Sequence, residues 1–205
     1  MSIKGIIGKK LGMSTIYSEN GEAIPVTVIK AGPCTVTQVK TENKDGYNSV
    51  QIGFSEAKSL NAPQKGHQER SGAKFSILQE FEIDDSAEIE VGQEISTEIF
   101  SEIKKVKVSG TSKGRGFAGG VRRYGFKGGP KTHGQSDRHR AVGSIGAGSS
   151  PGRVWPGTRM PGHFGNAKTT VKGLRLVKVD STNNILLIKG AIPGFNGSTV
   201  RVEAQ

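Results

Sequence analysis

Between Gly110 and Gly165 the chain carries sixteen glycines and four prolines in 56 residues, a density that forbids long helices or strands. Around this run, residues 104–175 hold sixteen Lys and Arg against a single acid, Asp137. The remaining 133 residues hold thirteen basic and seventeen acidic side chains, so the formal charge of +11 divides into +15 in one stretch and −4 elsewhere. A segment rich in charge and nearly empty of aliphatics cannot cover itself with a core, so a polyanion has to neutralise it. An irregular stretch this long inside a compact domain requires a functional or partner-ordered role. The flanks must then pair with each other across it, and the segment reads as an insertion projecting from their fold.

The flanks can bury a modest core: Ile24-Pro-Val-Thr-Val-Ile29 and Ile185-Leu-Leu-Ile188 are its richest runs. Apolar and polar positions alternate over 23–30, 35–41 and 49–54, then over 75–83 and 88–91. Residues 95–99 lead toward Val106-Lys-Val108, and strands are expected again over 170–179, 185–189 and 198–202. Asn20-Gly21, Lys44-Asp-Gly46 and Ser181-Thr-Asn-Asn184 are placed as hairpin connections. Asn61-Ala-Pro opens a short surface helix. Many short strands with few helical signals imply a small barrel. Within the insertion, 117–126 and 136–142 are the least punctuated parts, each long enough for one or two helical turns. The stretch 80–102 holds nine acids and no base. A strand with one wet face explains it; the sharper alternative is that it keeps nucleic acid off that side and orients docking.

The longest Ile/Leu/Val run is four residues, far below the roughly 20 needed to span a bilayer. The opening MSIKGIIGKKLGM lacks a continuous apolar region and a small-residue cleavage site, so it is not expected to be a signal peptide. Cys34 is alone, which excludes an internal disulfide and a cysteine zinc site; it reads as a small buried hydrophobe in a reducing, cytoplasmic compartment.

Inside the insertion, Arg115, Arg122, Arg123, Arg138, Arg140, Arg153 and Arg159 offer planar forks for phosphate oxygens. Lys113, Lys127, Lys131, Lys168 and Lys172 add point charges. Phe117, Tyr124, Phe126, His133, His139, Trp155, His163 and Phe164 are interleaved, and such rings stack on unpaired bases. A disordered basic tail is the bland alternative, yet tails sit at termini and repeat one residue type. RNA with tertiary structure fits better than DNA, because no recognition helix is visible. Gly114 to Val121 fits the dinucleotide and kinase glycine patterns; Asp137 lies near the distance of a ribose partner, but no second strand precedes it, and the kinase lysine and acids are absent. His133, Asp137 and His139 suggest a metal until Arg138 and Arg140 beside them are counted, so no metal is expected. Neither a cofactor nor a small-molecule substrate is implied. A rival from another class is an RNA-modifying or RNA-cleaving enzyme, for which His133, His139 and His163 are the only proton-transfer candidates in the segment. A third reading is an RNA chaperone that handles RNA without residing on it.

Gly5-Ile-Ile-Gly-Lys-Lys-Leu-Gly-Met13, Gly110-Thr-Ser-Lys-Gly-Arg-Gly-Phe-Ala-Gly119 and Thr132-His-Gly134 resemble the universal large-subunit ribosomal protein L-three family, bacterial type. Gly143-Ser-Ile-Gly146, Ser150-Pro-Gly-Arg153, Met160-Pro-Gly-His163 and Leu187-Ile-Lys-Gly190 extend the resemblance over the whole chain. It implies a mainly β protein: a six-stranded translation-protein-type β-barrel, discontinuous over 1–109 and 167–205, with a few short helices. A basic extension, 110–166, would thread ribosomal RNA toward the peptidyl transferase centre. It further implies a non-enzymatic primary binder near the 3′ end of the large ribosomal RNA, helping to nucleate subunit assembly. The neighbours implied are the fourteenth and nineteenth large-subunit proteins. The tip would be Ser144, Ile145, Gly146, Ala147, Gly148, Ser149, Ser150 and Pro151, with Arg153 and Trp155 on the returning arm. Some bacterial relatives methylate a glutamine where this chain has Ser149, so that modification is not expected. Archaeal and eukaryotic relatives place a tryptophan where this chain has Gly148.

An arm with so little core is expected to be disordered until RNA orders it. Limited proteolysis of the free protein should therefore cut first within 110–165, with uniform protection as the contrary result.

Overall fold

Period-two alternation of β-branched and polar side chains sets most of the elements. A computed structural model of the chain describes residues 3–83 and 89–205. In order, they are β1 (Gly5–Tyr17), β2 (Ala23–Ala31), β3 (Cys34–Lys40), α1 (Glu42–Asp45), β4 (Ser49–Glu56), α2 (Ala62–Gln68), β5 (Phe75–Glu82) and β6 (Glu94–Ile95). There follow β7 (Lys105–Thr111), β8 (Phe117–Ala118), α3 (Gly120–Tyr124), β9 (Gly162–His163), β10 (Lys168–Asp180), β11 (Ile185–Lys189) and β12 (Thr199–Ala204). The protein is mainly β. It divides into two compact units: residues up to Thr111 together with those from Lys168 onward, and Ser112–Ala167.

In the first unit six antiparallel strands close on one another in the order β1-β12-β7-β10-β11-β2. Two 13-residue strands make the closure possible. β1 pairs β12 through Gly5–Lys9 and β2 from Gly8 to Tyr17, with a bulge between Lys10 and Gly12. β10 pairs β7 up to Arg175 and β11 from Leu176 onward, with irregularities at Val171/Leu174 and Leu176/Lys178. Such bulges bend and twist a strand so that one edge can serve two neighbours. Lys10 is buried beside the bulge, and its ammonium donates to the carbonyls of Ile192 (3.0 Å) and Gly194 (3.1 Å). Those acceptors let a charge sit away from water.

Not every strand joins that ring. β5-β4-β3-β6 form a separate four-stranded sheet, which the periodicity of single strands does not distinguish from barrel staves. The two sheets share one apolar cluster: Ile6, Ile29, Val108, Leu186 and Val202 from the ring, with Val36, Ile52, Phe81 and Phe100 from the second sheet side. Cys34 lies fully buried in this cluster. Burial pushes its thiol up to about 12, against a 3.5 Å hydrogen bond to the Ile7 carbonyl.

The turn chemistry behaves as its residues dictate. At Asn20-Gly21, Gly21 takes φ 79° and its N–H donates to the Ser18 carbonyl. The Lys44-Asp-Gly46 connection is the single helical turn α1, ended by Gly46 at φ 81°. Asn61 starts α2, its N–H bonded to the Gln64 side chain at 3.2 Å. Asp180 holds the 181–184 turn by accepting from the N–H groups of Thr182 and Asn183.

Two expectations over 88–99 need correction. Glu88 lies outside the described residues, and 89–91 form no strand: Ile89 is buried, while Val91 enters a turn completed by Gly92 at φ 93°. The strand expected over 95–99 stops at Ile95, because Ser96 caps a 3₁₀ turn over Thr97–Phe100 by accepting from the Glu98 N–H.

Across the second sheet, the Lys40 ammonium on β3 meets Glu80 on β5 at 2.6 Å, and the Tyr47 hydroxyl donates to the same carboxylate at 2.9 Å. The Lys40 bond holds Glu80 below its ordinary 4.5; partial burial opposes this and Tyr47 adds to it. Because the folded carboxyl releases its proton more readily than the unfolded one, its stabilisation is present above 4.5 and is lost as pH falls through the lower folded value. Urea unfolding of wild type and Glu80→Gln should therefore show a midpoint gap at pH 7 that closes below pH 4.5.

Candidate nucleic-acid interface

Residues 112–167 carry ten Lys and Arg, fifteen glycines and one acid. Only Ala118 and Gly120 of these 56 residues are buried. The first and last residues of the unit are joined chiefly by backbone: Ser112 N–H donates to the Ala167 carbonyl, Arg115 to Phe164 and Phe164 to Gly116, each at 2.9 Å, and the Ser112 hydroxyl accepts from the Ala167 N–H at 3.3 Å. β8 then pairs antiparallel with β9, Phe117 opposite His163 and Ala118 opposite Gly162. So the Gly114–Val121 run passes from a two-residue antiparallel ribbon into α3, and β8 does not belong to the parallel sheet a dinucleotide fold needs.

α3 lifts Arg122 and Arg123 within a five-residue helix, closed by Gly125 in the left-handed region. From 125 to 161 there is neither helix nor strand. The helical turn expected over 136–142 does not form. Its backbone is tied elsewhere: Gly129 N–H donates to the His139 carbonyl (2.9 Å), and the His139 ring bonds the Pro130 carbonyl at 2.8 Å. Gly128, at φ 74°, allows this approach, since a Cβ there would meet the His139 carbonyl oxygen.

Thirteen of the fifteen residues expected to bind RNA are exposed: Lys113, Arg115, Arg122, Lys127, Lys131, His133, Arg138, Arg140, Arg153, Trp155, Arg159, His163 and Lys168. Arg123 and His139 are half-buried. Lys168 stands apart from the rest, as the first residue of β10 in the other unit, paired with Thr111. All eight residues from Ser144 to Pro151 are exposed, and Ser144 shapes their first turn by donating to the Gly146 carbonyl at 3.0 Å. His133 occupies a turn at φ 60° and Asp137 meets only the neighbouring Ser136 hydroxyl among the described residues.

What the pattern of single residues concealed is how arginines and rings combine. Arg115 lies over Phe164 (5.3 Å to the ring centroid) and Arg153 over Trp155 (4.8 Å). Tyr124 is flanked by Arg123 at 5.0 Å and Arg159 at 5.6 Å. A guanidinium lying on a ring keeps its in-plane N–H edge free, so these contacts orient the forks without consuming them. Among the described residues the ion pairs all fall in the other unit, at Lys40–Glu80, Lys107–Glu203 and Arg201–Glu203. The insertion thus presents cations that no acid pairs among the described residues. Tyr124 and Phe164, both among the interleaved rings of the sequence, belong to this surface.

The profile of the family described as "Ribosomal protein L3" matches residues 65–184. Relatives named "Large ribosomal subunit protein uL3" match nearly end to end. That of Dehalococcoides mccartyi is 50% identical over 201 residues, covering 98% of each chain. That of Herpetosiphon aurantiacus is 50% identical over 202 residues, 98% of this chain and 95% of its own. The chain belongs to the ribosomal protein L3 family. A further relative, from Thermosipho africanus, is 48% identical across 98% of this chain. The family match spans the whole insertion, including the arginines that lie on rings.

Gly165 sits at φ 75° where a Cβ would meet the Lys113 carbonyl oxygen, whereas Gly148 has open space around it and no such φ. Strain of this kind costs about 1–3 kcal/mol. Gly165→Ala should weaken binding to large-subunit ribosomal RNA by roughly tenfold or more, by filter binding.

Proposed function

We propose that this chain is a structural, RNA-binding constituent of the large ribosomal subunit, with no turnover of its own. On this reading it works in the cytoplasm, within the ribosome, bound to ribosomal RNA and other ribosomal proteins. The observation that carries it is a 56-residue unit with ten cations, one acid and two buried residues. Such a unit lacks both a core and internal counter-charges, and a folded polyanion supplies both. The match to family members named as large-subunit proteins supports ribosomal RNA as that polyanion.

In finer terms, the proposed role is a primary binder near the 3′ end of the large ribosomal RNA that helps nucleate subunit assembly. The closed ring of strands would be the translation-protein-type barrel, and 110–166 the extension that threads RNA toward the peptidyl transferase centre. Its tip would be Ser144–Pro151, and its protein neighbours the fourteenth and nineteenth of the bacterial set. Support for this comes from the exposed cations and from glycines that let backbone segments approach closely, as at Gly128 against His139. Narrow passages between RNA helices demand that thinness.

Phosphate neutralisation with counterion release makes binding steeply salt-dependent. With about six to ten phosphate contacts, affinity for the ribosomal RNA should fall roughly 10³–10⁵-fold between about 50 and 200 mM salt, taking the duplex-DNA slope as guide. A nearly flat salt dependence in an equilibrium titration would falsify the reading.

A further inference from the structure

The ribbon formed by β8 and β9 has one filled face and one bare face. On the filled side, Ala118 is buried, and the space a side chain would take at Gly162 is occupied by the Arg123 guanidinium at 2.5 Å. That guanidinium is fixed by donating to the Met160 carbonyl at 2.8 Å. The opposite side carries Phe117 and His163, which are directly paired. Directly opposed residues of an antiparallel pair project from the same face with Cβ atoms about 4.5–5.5 Å apart. Phe117 is 81% exposed, the highest among the exposed large hydrophobic residues, and His163 is exposed too.

The other phenyl, phenol and indole rings of the insertion are already engaged. Tyr124 is covered by Arg123 and Arg159, Phe164 by Arg115 and Trp155 by Arg153, while Phe126 lies half-buried 5.9 Å from Tyr124. Among the described residues Phe117 has no ring or cation against it. We infer that Phe117 and His163 form a stacking platform for an unpaired nucleobase of the bound RNA. This rests on the RNA-binding reading and adds a non-electrostatic contact to it. The occupant follows from the chemistry around the platform. A flat apolar face suits a base, and the phosphates on either side of that base meet a unit of ten cations and one acid. The register explains why the platform is built on a ribbon: two residues of backbone pairing project both side chains from one face without a core beneath them.

The test compares full-length wild type, Phe117→Leu and Phe117→Tyr in binding to in vitro transcribed large-subunit ribosomal RNA across a salt series, with base-specific chemical probing of each complex. Stacking on one aromatic side chain is sequence-tolerant and changes affinity by about 5- to 100-fold. Phe117→Leu should weaken binding within that range while the slope of log affinity against log salt stays that of wild type. Phe117→Tyr should bind as wild type. One or two bases protected in the wild-type complex should become reactive only with Phe117→Leu. Unchanged affinity and unchanged probing with Phe117→Leu, in a reaction that is still steeply salt-dependent, would overturn the platform alone and leave that face to a protein neighbour. A flat salt slope for wild type would overturn the RNA reading and the platform with it. Because the Phe117 ring is mostly in solvent, its replacement removes little packing, and matching circular dichroism spectra confirm intact folding.

Discussion

The antiparallel pairing of β7 with β10 is the constraint on which both units depend. It is one stave-to-stave contact of the closed ring, since β7 also pairs β12 and β10 also pairs β11. It also fixes both ends of the insertion, with Thr111 opposite Lys168. Loop-closure entropy grows only slowly with length once two ends are held together. A well-packed ring can therefore carry 56 irregular residues between adjacent strands with little added entropic penalty. The same residues at a terminus would lose the second anchor.

The two units handle charge differently, although Arg201 and Lys40 of the first also lie over rings, those of Phe81 (4.2 Å) and Tyr47 (5.2 Å). In the first, cations meet acids, as in Lys40–Glu80 and the Lys107–Glu203–Arg201 group. In the second, Asp137 is the only acid, and four arginines lie on aromatic rings instead. A ring holds a guanidinium in place without cancelling its charge, whereas a carboxylate would occupy its donors. That difference separates a surface made for its own fold from one made for an anionic partner.

Much of the first unit was legible because strand periodicity and turn residues act over a few neighbours. The hairpin at Asn20-Gly21 and the capped helix at Asn61 are local matters, and the structure agrees with the sequence at both. The 88–99 stretch was misread for a nonlocal reason. Its alternation of Ile and Glu suits a strand, but the backbone there is held by Val36, whose N–H and carbonyl engage Gln93 and Gly92. Assigning β3, β4 and β5 to a second sheet likewise depended on pairing partners far away in the chain.

Composition alone determined that the middle of this chain has little to build a core from and almost no acid to pair with its cations, because charge and apolar content add up residue by residue. It also left most of those cations exposed, since a segment nearly empty of aliphatics has little to bury them under; half-buried Arg123 is the exception within 112–167. Only the tertiary structure decided which rings the arginines claim and which ring is left over. Those choices turn on register and on distances between residues up to about fifty positions apart, such as Arg115 and Phe164, and no local pattern encodes them.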